Sequence, residues 1–177
     1  MASSMQRDVT LPAEALPALR ATLGAEVGPV VALQALQAAG YRAGEIVHER
    51  LAAVLGGDTA SVADARFWPA LSEFFSERGW GSLDHSRPHP AVGLLSSPDC
   101  AEADVAEERR PSCSFTAGIL GGVLSRAAGG PIAVLQVACR AAGDDACTFA
   151  FGSEATIQTL YEALRVGTDL DSVLRSL

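Results

Sequence analysis

The sequence predicts an α+β fold, an antiparallel sheet of hairpins packed against helices. Three observations predict it. Apolar residues recur at helical spacing through most of the first 78 positions. The period turns strand-like at 80–97 and again at 131–152, and each stretch is broken by turn-forming residues. A Gly-rich helical segment separates the two hairpins, and a further helix follows the second. Elements segregated in this way suit a sheet with helices laid against it.

The elements follow in order. Residues 1–9 form a loose tail, and residues 10–177 form a single domain, since 177 residues suffice for one core and would be cramped as two. Thr10 is the candidate N-cap of a first helix, with Pro12 in its opening turn, before Gly28-Pro29 interrupts. Val30 to Leu55 is a second helix. Gly40 and Gly44 lie inside it, each costing about 1 kcal/mol relative to Ala, so their place there implies close approach of another backbone or a kink. Asp58 or Thr59 caps a third helix to about Arg78, whose apolar face is Phe67, Trp68, Leu71, Phe74 and Phe75.

The first hairpin then pairs WGSLDHS with AVGLLSS around the turn RPHP at 87–90. Residues 98–112 read as a loop or short exposed helix, and AEADVAEE at 101–108 reads as a solvated acidic patch. Ser112 is the candidate cap of a helix from Cys113 to Ala128, closed by Gly129-Gly130. Its Gly118, Gly121 and Gly122 again imply tight packing. PIAVLQVACR and CTFAFG are the strands of the second hairpin, with AAGDDA as the turn. Ser153 caps a helix to about Val166, and Thr168 caps a short terminal one.

Composition narrows the function. Hydrophobic residues make up 49% and charged residues 19%, which fits a packed domain rather than a disordered chain. A formal net charge of -8 opposes binding to a nucleic-acid backbone or an anionic membrane surface. MASSMQRDV has no apolar core of a signal peptide. Arg126 and Gly129-Gly130-Pro131 break the richest apolar stretch, so no membrane span is expected. A cytoplasmic location follows as the expectation, and four cysteines there do not make a disulfide scaffold.

The cysteines carry the chemistry. Cys139 and Cys147 face each other across the second hairpin, where opposed Cβ atoms lie about 4.5–5.5 Å apart. Cys113 stands at the start of a helix, where the dipole favours a thiolate. Three thiolates converging there would supply most of a tetrahedral zinc site. Two other readings of the same residues stand beside it: small core hydrophobes, or a Cys139–Cys147 disulfide, which a reducing cytosol disfavours.

The frame C-x(22)-Q-x(2)-C-x(7)-C, from Cys113 through Gln136 and Cys139 to Cys147, resembles the 4-vinyl reductase domain family. In that family the second position is typically Glu, and some members bind zinc through the four side chains. The resemblance therefore implies a zinc site at Cys113, Gln136, Cys139 and Cys147, with Cys100 or water as a substitute for the Gln. Residues three apart on a regular strand point to opposite faces, so Gln136 joins Cys139 only where the chain bulges. Gly118 and Gly122 match the family's glycine positions. The resemblance also implies a fold shared with the Bet-like subunits of the TRAPP tethering complex, a homodimer, and binding of an aromatic, hydrophobic or tetrapyrrole-like molecule with output through a partner protein.

The expected ligand pocket is lined by Phe67, Trp68, Leu71, Phe74 and Trp80, with Tyr41 and His48 as polar groups; the same aromatics equally suit a plain core. No nucleophile with its base, no phosphate-binding Gly loop and no dinucleotide fingerprint is present, so no catalytic residue is assigned. Two alternatives accompany the ligand-binding reading. One is a TRAPP-like interaction scaffold without ligand; the other is an accessory protein or enzyme of tetrapyrrole biosynthesis.

Overall fold

The computed structural model describes residues 9–61, 64–103 and 111–177. The expected tail, apart from Val9, and residues 104–108 of the expected acidic patch lie outside the described residues. In chain order the elements are α1 (Ala15–Val27), α2 (Pro29–Leu55), a 3₁₀ turn at Thr59–Ser61, α3 (Asp64–Glu77), β1 (Asp84–His89), β2 (Val92–Ser97), α4 (Ser114–Ala128) and β3 (Ala133–Ala138). A second 3₁₀ turn at Arg140–Ala142 leads to β4 (Cys147–Gly152), α5 (Glu154–Arg165) and α6 (Leu170–Ser176).

The four strands form one antiparallel sheet in the order β1-β2-β4-β3. The two hairpins meet along β2 and β4, so α4 bridges the end of the first to the start of the second. Alternation along the strands feeds two cores. Leu95 and Phe149 join α2, α3 and α4 on one face, and Val92 and Ala150 join α5 and α6 on the other. The α+β expectation is met, with helices covering both faces of the sheet.

The helical glycines fit α2 against α4. A Cβ on Gly40 would run into the Phe115 carbonyl oxygen, and one on Gly44 into that of Ile119. Gly118 and Gly122 reciprocate against the carbonyl oxygens of Gln37 and Tyr41. Four glycines thus bring two helix backbones into direct contact. The Arg126 guanidinium closes the pair on Glu45 at 2.6 Å.

Several boundaries differ from expectation. Thr10 caps nothing. Ala15 N–H donates to Pro12 O at 3.0 Å in a turn, and α1 winds only from Ala15. Asp169, a stronger acceptor than its neighbour Thr168, caps α6 by accepting from Ser172 N at 2.9 Å. Trp80 to Leu83 are not strand, because Trp80 N–H donates back to Phe75 O at the end of α3. Conversely, β1 runs on through Pro88 to His89. It is an edge strand whose register shifts between Ser86 and His89, a place where a missing N–H is tolerated. Ser153 caps α5 as expected, accepting from Thr156 N.

Candidate functional site

Two constellations stand out, a sulfur cluster inside the main core and an aromatic groove at its edge.

Cys100, Cys113, Cys139 and Cys147 are all buried. The Cys113 Sγ lies 3.8 Å from that of Cys100, 3.9 Å from Cys139 and 3.6 Å from Cys147, and Cys139 and Cys147 are 4.0 Å apart. The sulfurs of Cys100, Cys113 and Cys147 lie within 4.8 Å of one another. Local structure explains the convergence. The 3₁₀ turn at Arg140–Ala142 curls the end of β3 back, fixed by Cys139 N–H donating to the Asp144 carboxylate at 2.7 Å. Cys113 occupies the N-cap position of α4 without a side-chain cap bond.

Cys100 arrives on a loop tied at both ends. Ala101 N–H donates to Trp80 O at 3.2 Å, and the Asp99 carboxylate accepts from Ser82 N–H at 2.8 Å. On the other side, the Glu102 carboxylate accepts from Phe115 N–H at 3.0 Å and Thr116 N–H at 2.7 Å. Glu102 is 1% exposed, so this part of the expected acidic patch is buried as the cap of α4. Ser112, the expected cap, instead directs its hydroxyl to the Cys139 sulfur at 3.7 Å.

Gln136 stands beside the cluster. The β3 register shifts between Gln136 and Ala138, the irregularity that turns its side chain toward the cysteines. Its Oε1 accepts from Cys113 N–H at 3.1 Å, while its buried Nε2 has no partner among the described residues.

Four thiols this close cannot share protons evenly. Hydrogen bonding from Cys113 holds Cys100 and Cys139 below the usual thiol range, and the same contacts push Cys113 up. Such a cluster carries thiolate without any external base, which is the state a metal ion binds. A tetrahedron with metal–sulfur bonds of about 2.3 Å has edges of about 3.8 Å, so the sulfur separations fit a bound ion.

The second constellation is a groove of about 490 Å³ between α3 and β1, lined by Asp64, Trp68, Pro69, Ser72, Asp84 and His85 among others. The Trp68 and His85 rings stack at 3.8 Å and 11°, and Phe151 leans on both. The Trp68 Nε1 is buried and has no hydrogen-bond partner among the described residues. Burial, with Arg87 adding and Asp64 opposing, holds the His85 imidazole below its usual range, so it is neutral at pH 7.

The expected pocket residues do not converge on one cavity. Trp68 lines the groove; Phe67, Leu71 and Phe74 are core. Trp80 stacks on Phe115, 5.7 Å between centroids. His48 shares a 2.7 Å hydrogen bond with Thr59 Oγ1, and Tyr41 is exposed on α2. Sequence reasoning does not place His85 in the pocket. The available signal is its position on an edge strand directly after the aromatic helix.

Comparison with known proteins agrees with this geometry. The family model of the 4-vinyl reductase domain matches residues 96–153, a span that holds all four cysteines and Gln136. An uncharacterized protein of Methanocaldococcus jannaschii is 33% identical over 79 residues, which is 45% of this chain and 42% of that protein; the chain thus spans less than half of the curated relative it matches. The phenol-responsive sensory domain of the transcription activator PoxR, solved with phenol, superposes with a TM-score of 0.70 at 19% identity, covering 91% of this chain and 83% of that one. A vinyl-4-reductase family protein from M. jannaschii gives 0.50 at 20% identity, covering 83% of each chain. A trafficking protein particle complex subunit 3 from Naegleria fowleri, covalently bound to palmitic acid, gives 0.60 at 14%, covering 79% of this chain and 91% of that one. The resemblance carried by the cysteine frame therefore holds: residues 96–153 of this chain are a 4-vinyl reductase domain, set in a fold shared with vinyl-4-reductase-like and TRAPP-like structures.

Proposed function

We propose that residues 10–177 form a single sensory-type domain that binds a small hydrophobic or aromatic molecule, braced by a structural zinc ion at the sulfur cluster, and that a homodimer passes the bound state to a partner protein. The observation that carries the ligand reading is the buried, unpartnered indole N–H of Trp68 beside an aromatic groove. A buried donor without an acceptor is costly, about 1–3 kcal/mol, and a ligand oxygen removes that cost. The stacked Trp68, His85 and Phe151 rings supply flat apolar surface for an aromatic body. Neutral His85 adds a second polar contact. The likeness to a sensory domain solved with phenol supports the same class of ligand.

A thermal-shift and calorimetric screen with phenols, other monoaromatics and tetrapyrroles tests the reading. A phenolic compound is expected to raise the melting temperature and quench indole fluorescence. Trp68→Phe, which keeps the stacking surface but removes the donor, is expected to weaken binding about tenfold. Absence of any shift across all three classes would count against a ligand.

A second reading, the TRAPP-like scaffold without ligand, is favoured by one observation. The space between α3 and the sheet is filled by Phe67, Leu71, Phe74 and Phe149, while α1 buries none of its residues and Val27, Val30, Val31 and Leu33 are exposed. A screen without hits together with a stable assembly would select it.

A further inference from the structure

We propose that the metal centre of this chain is an all-sulfur one, with Cys100, Cys113, Cys139 and Cys147 as its four ligands and Gln136 outside the ligand set. The proposal rests on the zinc reading above and specifies it. The family frame would make the residue at 136 the fourth ligand. Here that position offers only a neutral amide, and its oxygen is already committed to Cys113 N–H at 3.1 Å. The remaining atom, Nε2, is a donor with no lone pair to give a metal.

Cys100 fills the gap. Its sulfur is 3.8 Å from Cys113, the edge length of a zinc–thiolate tetrahedron, and within 4.8 Å of Cys147. Its position is built rather than incidental. The loop is pinned to Trp80 and Ser82 on one side and, through Glu102, to the first turn of α4 on the other. Four thiolates around a divalent ion leave two excess negative charges in a buried place. The surroundings supply donors for them: Arg140 N–H to Cys147 at 3.5 Å, the Ser112 hydroxyl 3.7 Å from Cys139 and the Thr116 hydroxyl 3.9 Å from Cys100. Binding deprotonates the thiols that remain protonated and releases those protons to solvent.

Zinc-edge X-ray absorption on the purified wild-type protein reads the ligand set directly. Four sulfur scatterers at about 2.3 Å, with no oxygen or nitrogen shell at about 2.0–2.2 Å, are expected. A shell of three sulfurs and one light atom would overturn the proposal while leaving the zinc reading standing. Protein that holds no zinc, by metal analysis without chelator exposure, would overturn both. Cobalt-loaded variants give a second measurement. Cys100→Ser is expected to lose one thiolate's share of the charge-transfer absorption and Gln136→Ala to keep all of it; the reverse pattern would sink the proposal. If Cys100→Ser does not fold, the wild-type absorption spectrum still decides.

Discussion

Single residues near the sulfur cluster hold positions that local sequence rules do not assign. Glu102 sits in a run of acidic residues, yet it is buried and accepts two N–H groups at the head of α4. Glu102→Ala strands both donors in the core, so unfolding free energy is expected to fall by about 1–3 kcal/mol in urea titrations. An unchanged midpoint would mean that water caps the helix equally well. His85 makes a pH prediction. Burial lowers its pKa in the fold, and burial followed by Arg126 does the same for His48, while the unfolded chain takes up protons near 6.5. Below that value the unfolded state binds more protons, so stability falls as pH drops from about 7 through the depressed folded values. Glu102, raised by burial, acts with the opposite sign, so the histidine contribution is read as the difference between wild type and His85→Gln. The variant is expected to lose less stability than wild type between pH 7 and pH 5.5. The three frame cysteines were legible from spacing because a hairpin and a helix start have fixed local geometry. Glu102 and the role of Cys100 were not, because their partners lie 13 or more residues away across a loop and a helix.

At the scale of elements, the sequence was read well where a residue has few alternatives and poorly where two neighbours compete. Glycines inside α2 and α4 implied close packing, and the structure supplies the contact they allow: each other's backbones. Caps were less legible. Cys113 N–H goes to Gln136 and the next available donors to Glu102, so tertiary partners displaced Ser112 from the role its position suggested. The strand limits of the first hairpin shifted because Pro88 reads as a turn residue, while an edge strand with a register shift accommodates it. The α2–α4 contact yields a paired prediction. Gly118→Ala forces a Cβ into the Gln37 carbonyl oxygen and is expected to cost at least about 1–3 kcal/mol. Gly24→Ala, in α1 with nothing within 4 Å, is expected to stabilise by about 0.4–1 kcal/mol. Thermal melts of the two variants should move in opposite directions. If both stabilise, the helices are not in backbone contact.

For the whole molecule, the sulfur cluster joins segments that no hydrogen-bond ladder connects: the loop at Cys100, the start of α4 and the β3–β4 connection. A metal there acts as a staple between the two hairpins, and its binding energy is folding energy. Prolonged treatment with a strong chelator is therefore expected to lower the melting temperature on the order of 10 °C, with zinc restoring it. A melt that ignores the chelator while zinc leaves would make the metal incidental to the fold. The other whole-molecule question is assembly. No described helix is long and apolar enough to cross a membrane, so the exposed apolar residues of α1 and α2 are not explained by a span. α1 buries none of its 13 residues within the chain, and Val27, Val30, Val31 and Leu33 cluster around its junction with α2. In the proposed homodimer this corner packs on its copy, since an apolar patch left in water opposes a stable monomer surface. Sedimentation equilibrium is expected to give twice the chain mass at micromolar concentration, and charges introduced by Val31→Asp and Leu33→Asp together are expected to give the monomer. A wild-type monomer at all concentrations would remove the dimer. A dimer indifferent to both charges would place its interface away from the α1–α2 corner.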